Sequence, residues 1–380
     1  VFHKGISQRI PIAQNLVLFF MNKIITKAPG RVCLFGDHQD YLELPVIASA
    51  IDRFITIEAV ENGNDFFDIY MPDLDQKRKI SLSDNSGKIE RGDFLRVALK
   101  VLKKRGVLPA RGYEVVITSD IPINAGLSSS SALTVAWIKF IIAAFSDQSF
   151  SPKEIALLAY ETEVIEQGSS GGKMDQFTIA LGNTIFLDTK TDAVENFNGI
   201  ELNLIVGVSG LSKDTFGTLS HLKGNAWKAI HQVMEKESHF DIAQCKVEDL
   251  SEKMMRVSEP LKPYFYAAVH NYDITKRALQ AFNDKKINPK FIGSLMNEHH
   301  HILSSYLKIT PPLMEKMITA VNEAGALGSK IVGSGGGGCI VAITTGQNNE
   351  SIIEAIMATG AADAFSVKIT GGPTIKTIAS

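Results

Sequence analysis

The run Pro122-Ile123-Asn124-Ala125-Gly126-Leu127-Ser128-Ser129-Ser130-Ser131-Ala132 follows the strand-like stretch Tyr113–Ser119 and leads into an apolar run, Ala132 to Phe145, that reads as a buried helix. A glycine turn and small hydroxyl residues placed there leave backbone N–H groups bare at a helix N-terminus. That end carries partial positive charge and unsatisfied donors, so it suits a phosphate. Serine is a good N-cap, but four in a row behind a Pro and a Gly exceed what a cap needs. This is not a Walker loop, which has a Lys directly after its second Gly; no Lys lies between Arg111 and Lys139. Backbone donors and hydroxyls would do the holding.

Three other segments carry chemistry. Lys27-Ala28-Pro29-Gly30-Arg31-Val32-Cys33-Leu34-Phe35-Gly36-Asp37-His38-Gln39-Asp40-Tyr41 mixes cationic, acidic and imidazole groups. Glu161-Thr162-Glu163-Val164-Ile165-Glu166-Gln167-Gly168-Ser169-Ser170-Gly171-Gly172-Lys173-Met174-Asp175-Gln176 joins an acidic helix to a glycine turn. Lys330-Ile331-Val332-Gly333-Ser334-Gly335-Gly336-Gly337-Gly338-Cys339-Ile340-Val341-Ala342 is glycine-rich, which alone could be a tight hairpin. By residue type, Asp175 could simply cap the helix after Gly172. Glu161, Glu163 and Glu166 could all be a solvated helix face.

The serine run, the segment from Lys27 and the segment from Lys330 resemble, in order, the second, first and third motifs of the GHMP kinases. This is the family of galactokinase, homoserine kinase, mevalonate kinase and phosphomevalonate kinase, and the resemblance covers roughly residues 23 to 372. It implies transfer of the γ-phosphoryl group of ATP with Mg²⁺, held by Gly126, Leu127, Ser128, Ser129, Ser130, Gly335, Gly336 and Gly337. Asp175 aligns with the family's catalytic aspartate and Arg31 with the basic residue of its first motif, where a guanidinium could stabilise charge on the phosphoryl oxygens. Glu163 and Ser130 align with its magnesium ligands, hard oxygen donors suited to that ion. The implied fold is α+β, in two domains. A ribosomal-S5-like N-terminal domain spans 22–195, a ferredoxin-like C-terminal domain spans 196–380, and the active site lies between them. Residues 1–21 read as a peripheral extension, with an apolar stretch too short to span a bilayer and no small-residue cleavage site.

The acceptor is read from Gly36-Asp37-His38-Gln39-Asp40-Tyr41, which resembles the galactokinase signature Gly-Glu-His-Thr-Asp-Tyr. Asp37, His38 and Asp40, with Gly172, are the candidate substrate residues, since carboxylates and an imidazole hydrogen-bond sugar hydroxyls directionally. Mevalonate kinases have apolar residues where Asp40 stands. That favours a sugar, with the anomeric hydroxyl of galactose or a relative as the expected acceptor. Leu42-Glu43-Leu44 departs from the Asn-Gly-Gly of galactokinases, the Gly-Ser-Gly-Gly-Gly-Gly-Cys third motif is closer to the mevalonate kinase form, and the Ser209–His221 region resembles mevalonate or heptose kinases. The alternatives are therefore a mevalonate-type kinase or a silent sugar-sensing regulator.

Composition suits a soluble cytoplasmic enzyme, monomer or homodimer, with no membrane partner. The 380 residues suggest about two domains, and a net charge of −2 argues against a nucleic-acid surface. Cys33, Cys245 and Cys339 lie far apart, which fits a reducing compartment. Glu298-His299-His300-His301 falls in a helical stretch, where consecutive residues point about 100° apart and three adjacent histidines cannot converge on one ion.

The elements that must position these groups follow from periodicity. Strands are expected at Ile24–Ala28, Phe54–Val60, Phe66–Tyr70, Tyr113–Ser119, Thr184–Asp188, Leu202–Val208, Ser329–Val332, Cys339–Thr344 and Ala364–Ile369. Helices are expected at Phe94–Lys104, Ser130–Phe145, Pro152–Gln167, Met174–Leu181, several between Lys213 and Ala324, and Ser351–Thr359.

Overall fold

A computed structural model describes residues 22–83, 89–123, 125–212, 215–284 and 287–378. The extension expected over residues 1–21, and Asn124 of the serine run, lie outside them.

Strand β1 (Lys23–Phe35) pairs antiparallel with β2 (Val46–Glu61). β1 runs well past the expected Ile24–Ala28, because its second half, with Arg31 on it, is buried throughout. The register shifts between Pro29 and Gly30, a bulge that accommodates a residue without an N–H. Just beyond it, Arg31 N–H donates to the Leu127 carbonyl at 3.1 Å, so the strand carries the serine turn on its flank. A Cβ at Gly30 would stand 3.0 Å from that same carbonyl, so a larger residue would push the turn away.

The first sheet continues with β3 (Phe66–Met71), β4 (Gln76–Ser81), β5 (Tyr113–Ser119), β6 (Thr184–Asp188) and β7 (Ala193–Phe197). The second comprises β8 (Asn203–Val208), β9 (Gly328–Val332), β10 (Cys339–Thr344) and β11 (Asp363–Val367) in the antiparallel order β11-β8-β10-β9, the ferredoxin-like arrangement. The chain then departs from the expected 196–380 unit. β12 (Thr374–Ile378) returns to the first sheet, whose order is β12-β1-β2-β5-β3-β4, and pairs Lys23 with Ile378. There it covers backbone groups that β1 would otherwise leave open at an edge. β4, β7 and β12 escape a reading by apolar alternation for one reason. β4 buries only Ile80, β7 only Phe197, and β12 is exposed along its length.

The serine run opens helix α2 (Ser129–Phe145), which is buried for most of its length and packs on β1; Thr26 Oγ1 donates to the Ala136 carbonyl. Beneath it Trp137, Phe140, Phe67 and Tyr113 meet edge to face or tilted at centroid distances of 5.2–5.3 Å. An apolar helix in the middle of the core gives its N-terminus a rigid mount, and that end faces the cavity described next.

Candidate active site

A cavity of about 310 Å³ lies between the two sheets' domains, fronted by β1, the 36–45 loop, the N-terminus of α2, the 161–176 segment and the turn after β9. At its floor, Arg31 Nε and Nη2 approach Asp175 Oδ1 at 2.8 and 2.6 Å, and Arg31 Nη1 donates to the Gly126 carbonyl. Ser128 Oγ donates to Asp175 Oδ2 at 2.6 Å. Both carboxylate oxygens are therefore aimed by β1 and the serine turn. Asp175 sits in the first turn of the helix Met174–Leu181, but its carboxylate is not a cap: Lys173 occupies the N-cap position without a side-chain bond. Burial works against the Arg31 charge, yet Asp175, Cys33 and Asp37 together hold its pKa above the ordinary value. The group stays a cation.

The expected helix Pro152–Gln167 keeps α geometry only to Tyr160. Glu166 N–H then bonds the Glu161 carbonyl and Ser169 N–H the Val164 carbonyl, both at 2.9 Å, so this turn is one residue wider. Such bulges are common at functional sites. This one rotates Glu163 inward, while Glu161 and Glu166 stay on the outer face against Arg105, Lys104 and Lys100. Two of the three carboxylates are thus largely covered members of ion pairs on the outer face, neither solvated nor in the cavity. Glu163 is buried, accepts from Ser131 Oγ at 2.6 Å and Gln176 Nε2 at 2.8 Å, and its Oε1 has no hydrogen bond. Burial pushes its carboxyl up to about 7.

A buried carboxylate oxygen without a donor, close to serine hydroxyls, fits a hard cation that keeps waters and phosphate oxygens as its other ligands. Sequence reasoning paired Glu163 with Ser130. The structure bonds it to Ser131 instead. Ser130 lines the cavity, is exposed, and offers its carbonyl to Thr134. One residue along a helix turns the side chain about 100°, enough to exchange the two serines.

The 36–45 loop brings Asp37, His38 and Asp40 to the cavity wall. Asp37 also acts as a strut: its Oδ2 lies 2.6 Å from Lys330 Nζ and its Oδ1 accepts from Gly333 N–H at 2.8 Å. Burial would raise this carboxyl, but the Lys330 ammonium outweighs it and holds it at about 2. His38 Nδ1 meets Tyr41 OH at 3.1 Å. Asp40 packs against Gly172, where a Cβ would overlap the carboxylate. Burial first, and the Asp175 charge second, raise Asp40 to about 7.

The third motif contributes differently from expectation. Gly333 and Ser334 line the cavity, but Gly335, Gly336 and Gly337 do not. Gly335 packs on Ile309, Gly336 N–H donates to the Ile309 carbonyl at 2.7 Å, and Gly337 abuts the Leu211 carbonyl. The loop turns back on its own domain, and a Cβ on Gly338 would press 2.9 Å from the Ala125 carbonyl, so the loop buttresses the serine turn. Leu127 likewise sits in the core. Sequence reasoning missed Ser131, Gln176 and the Ser170–Ser220 hydroxyl contact of 2.9 Å, which links the two domains beside the cavity. Gln176 directly follows Asp175 in the sequence, whereas the serine pair leaves no local signal.

Comparison with known proteins bears on the family and the fold. Residues 93–183 match the GHMP kinases N terminal domain, residues 277–362 the GHMP kinases C terminal domain, and residues 18–60 the galactokinase galactose-binding signature. The mevalonate kinase of Pyrococcus furiosus is 30% identical over 337 residues, 86% of this chain and 91% of that protein. The chain belongs to the GHMP kinase family. A further relative of this GHMP kinase is the galactokinase of Thermosipho africanus, 28% identical over 334 residues, 86% of this chain and 90% of that one. The crystal structure of Lactococcus lactis galactokinase complexed with galactose matches with a TM-score of 0.80, covering 93% of this chain and 95% of that one at 22% identity, a likeness of fold. The protein is therefore a two-domain α+β phosphotransferase acting on a sugar or alcohol, with ATP as the family's donor. Among the described residues no helix is long and apolar enough to cross a membrane.

Proposed function

We propose that this kinase phosphorylates a hydroxyl of a small sugar, the anomeric hydroxyl of galactose or a closely related sugar. The observation that carries the reading is Asp40. It is a carboxylate inside the cavity, packed against Gly172 and close enough to Asp175 to be raised by its charge. A neutral polyol can donate hydroxyls to both carboxylates, whereas mevalonate would bring its own negative charge beside them.

In this mechanism the triphosphate rests on the backbone donors of the serine turn and the α2 N-terminus. The acceptor hydroxyl points at Asp175, whose orientation Arg31 and Ser128 set. The acceptor oxygen bonds to the γ-phosphorus as the bond to the β–γ bridging oxygen breaks; ADP leaves, and the hydroxyl proton passes to Asp175. With a loose transition state, aligning the acceptor supplies much of the rate. Arg31 stabilises charge building on the phosphoryl oxygens. Glu163, with Ser130 or Ser131, would hold Mg²⁺, which neutralises phosphate charge.

A mevalonate-type reaction is the second reading, favoured by the mevalonate kinases among the relatives of this chain. ADP release measured over hexoses, pentoses, uronic acids and mevalonate separates the two. Turnover highest with galactose or another sugar supports the proposal. Turnover confined to mevalonate refutes it, and none with any acceptor favours a sensing role.

A further inference from the structure

A second cavity, of about 680 Å³, lies behind the helix Thr215–Met234. One face of that helix turns Leu219 into the active-site cavity, and Ser220 bonds Ser170. Thr218, His221 and Leu222, spaced as one helical face, line the second cavity. Across from them stand Tyr264, Tyr306 and Lys308. Its volume falls in the range of small-molecule sites.

Its chemistry is specific. Tyr264 OH and His221 Nε2 lie 3.2 Å apart, and Tyr306 stacks on Tyr266 with centroids 4.0 Å apart, so the aromatic walls are held by their own neighbours. Lys308 is exposed at the rim, and none of the described residues lining the cavity is acidic. Lys308 also holds left-handed backbone, φ 54°, a conformation that costs energy for a residue with a side chain. Aromatic side chains and an exposed ammonium, with no acidic group among the described lining residues, suit a molecule with an organic body and a phosphate.

The cavity also touches the catalytic machinery. Ile309 lines it, and the Ile309 carbonyl accepts from Gly336 N–H in the loop that buttresses the serine turn. We infer that this cavity is a second site for a phosphorylated organic molecule, and that its occupancy shifts the glycine loop and with it ATP use. The inference does not depend on which acceptor the kinase phosphorylates.

The test is calorimetric titration of the full chain with galactose 1-phosphate, 5-phosphomevalonate, AMP and inorganic phosphate, with the active site filled by Mg²⁺ and a non-hydrolysable ATP analogue. The wild type and the Lys308→Arg and Lys308→Glu variants are compared. At least one ester binds the wild type, Lys308→Arg keeps that binding, and Lys308→Glu weakens it tenfold or more with kcat and KM unchanged. Inorganic phosphate, lacking a body to stack, binds at least tenfold more weakly than that ester. Binding that Lys308→Glu leaves intact, equal binding of inorganic phosphate, or no binding by any probe overturns the inference. The esters name the source: AMP alone points to a nucleotide, either product ester to feedback from the reaction itself.

Discussion

Lys330→Met removes one partner from an ion pair whose side chains are 0% and 1% exposed. In the native protein Lys330 Nζ also donates to the carbonyls of Cys33 and Ile331 at 3.1 and 2.7 Å, so a single ammonium ties β1, the 36–45 loop and β9 together. Methionine fills most of the volume, so the loss is electrostatic. Stranding one charge of a buried pair costs about 3–5 kcal/mol. The pH dependence reports the sign. In the native protein Asp37, held at about 2, contributes stability above its unfolded value of about 4, lost as pH falls through 2. Without Lys330, burial meets only the weaker opposition of the Gly333 N–H and Cys33 contacts, and the carboxyl rises. The variant's deficit is then largest at alkaline pH and shrinks as acid neutralises Asp37. Urea unfolding at pH 8 and pH 5, on both single variants and Lys330→Met/Asp37→Asn, measures this. The double variant recovers part of the loss, because the neutral amide can still accept from Gly333 N–H. The reasoning is refuted by a Lys330→Met cost below about 1 kcal/mol, or by a double variant equal to the sum of the singles within about 0.5 kcal/mol.

Asp175→Asn keeps ATP binding and lowers kcat by roughly 10²–10⁴-fold, the usual span for a proton-handling group; near-normal kcat removes it from the mechanism. Gly172→Ala displaces the Asp40 carboxylate and raises the acceptor KM by tenfold or more with little change for ATP, so equal effects on both would refute the contact. Asp40, raised to about 7, ionises as pH rises through neutrality, and a carboxylate accepts a hydroxyl about 1 kcal/mol better than its acid. The sugar KM therefore falls about three- to fourfold between pH 6 and pH 8 in the wild type and stays flat in Asp40→Asn. Because the folded pKa exceeds the unfolded one, stability is lost as pH rises from about 4 to 7. Thermal melting then finds Asp40→Asn more stable than wild type at pH 8 but not at pH 4; equal stability at both would sink the assignment.

The motifs, their order and most elements near the site were legible in the chain, because a buried helix and a strand–turn–helix leave local patterns. α2, β5, β6 and β10 follow directly from such runs. The cap reading of Asp175 and the shared reading of Glu161, Glu163 and Glu166 were local as well, and there the local rules ran out. Which carboxylate turns inward depends on a single wide turn, and which serine meets it depends on 100° of helix rotation. Neither leaves a trace in residue type.

What the residues by themselves determined was the family resemblance, with the α+β frame it implies, and the expected kind of chemistry: backbone donors for a phosphate, a carboxylate and a guanidinium. What only the tertiary structure decided was the company each group keeps. Lys330 lies 293 positions from Asp37 yet fixes its charge, β12 closes the sheet begun by β1, and Gly335 and Gly337 face Ile309 and Leu211 rather than the cavity. Local sequence carries helix and strand propensity over a few residues, whereas burial and Coulomb contact act between segments brought together only when the core forms.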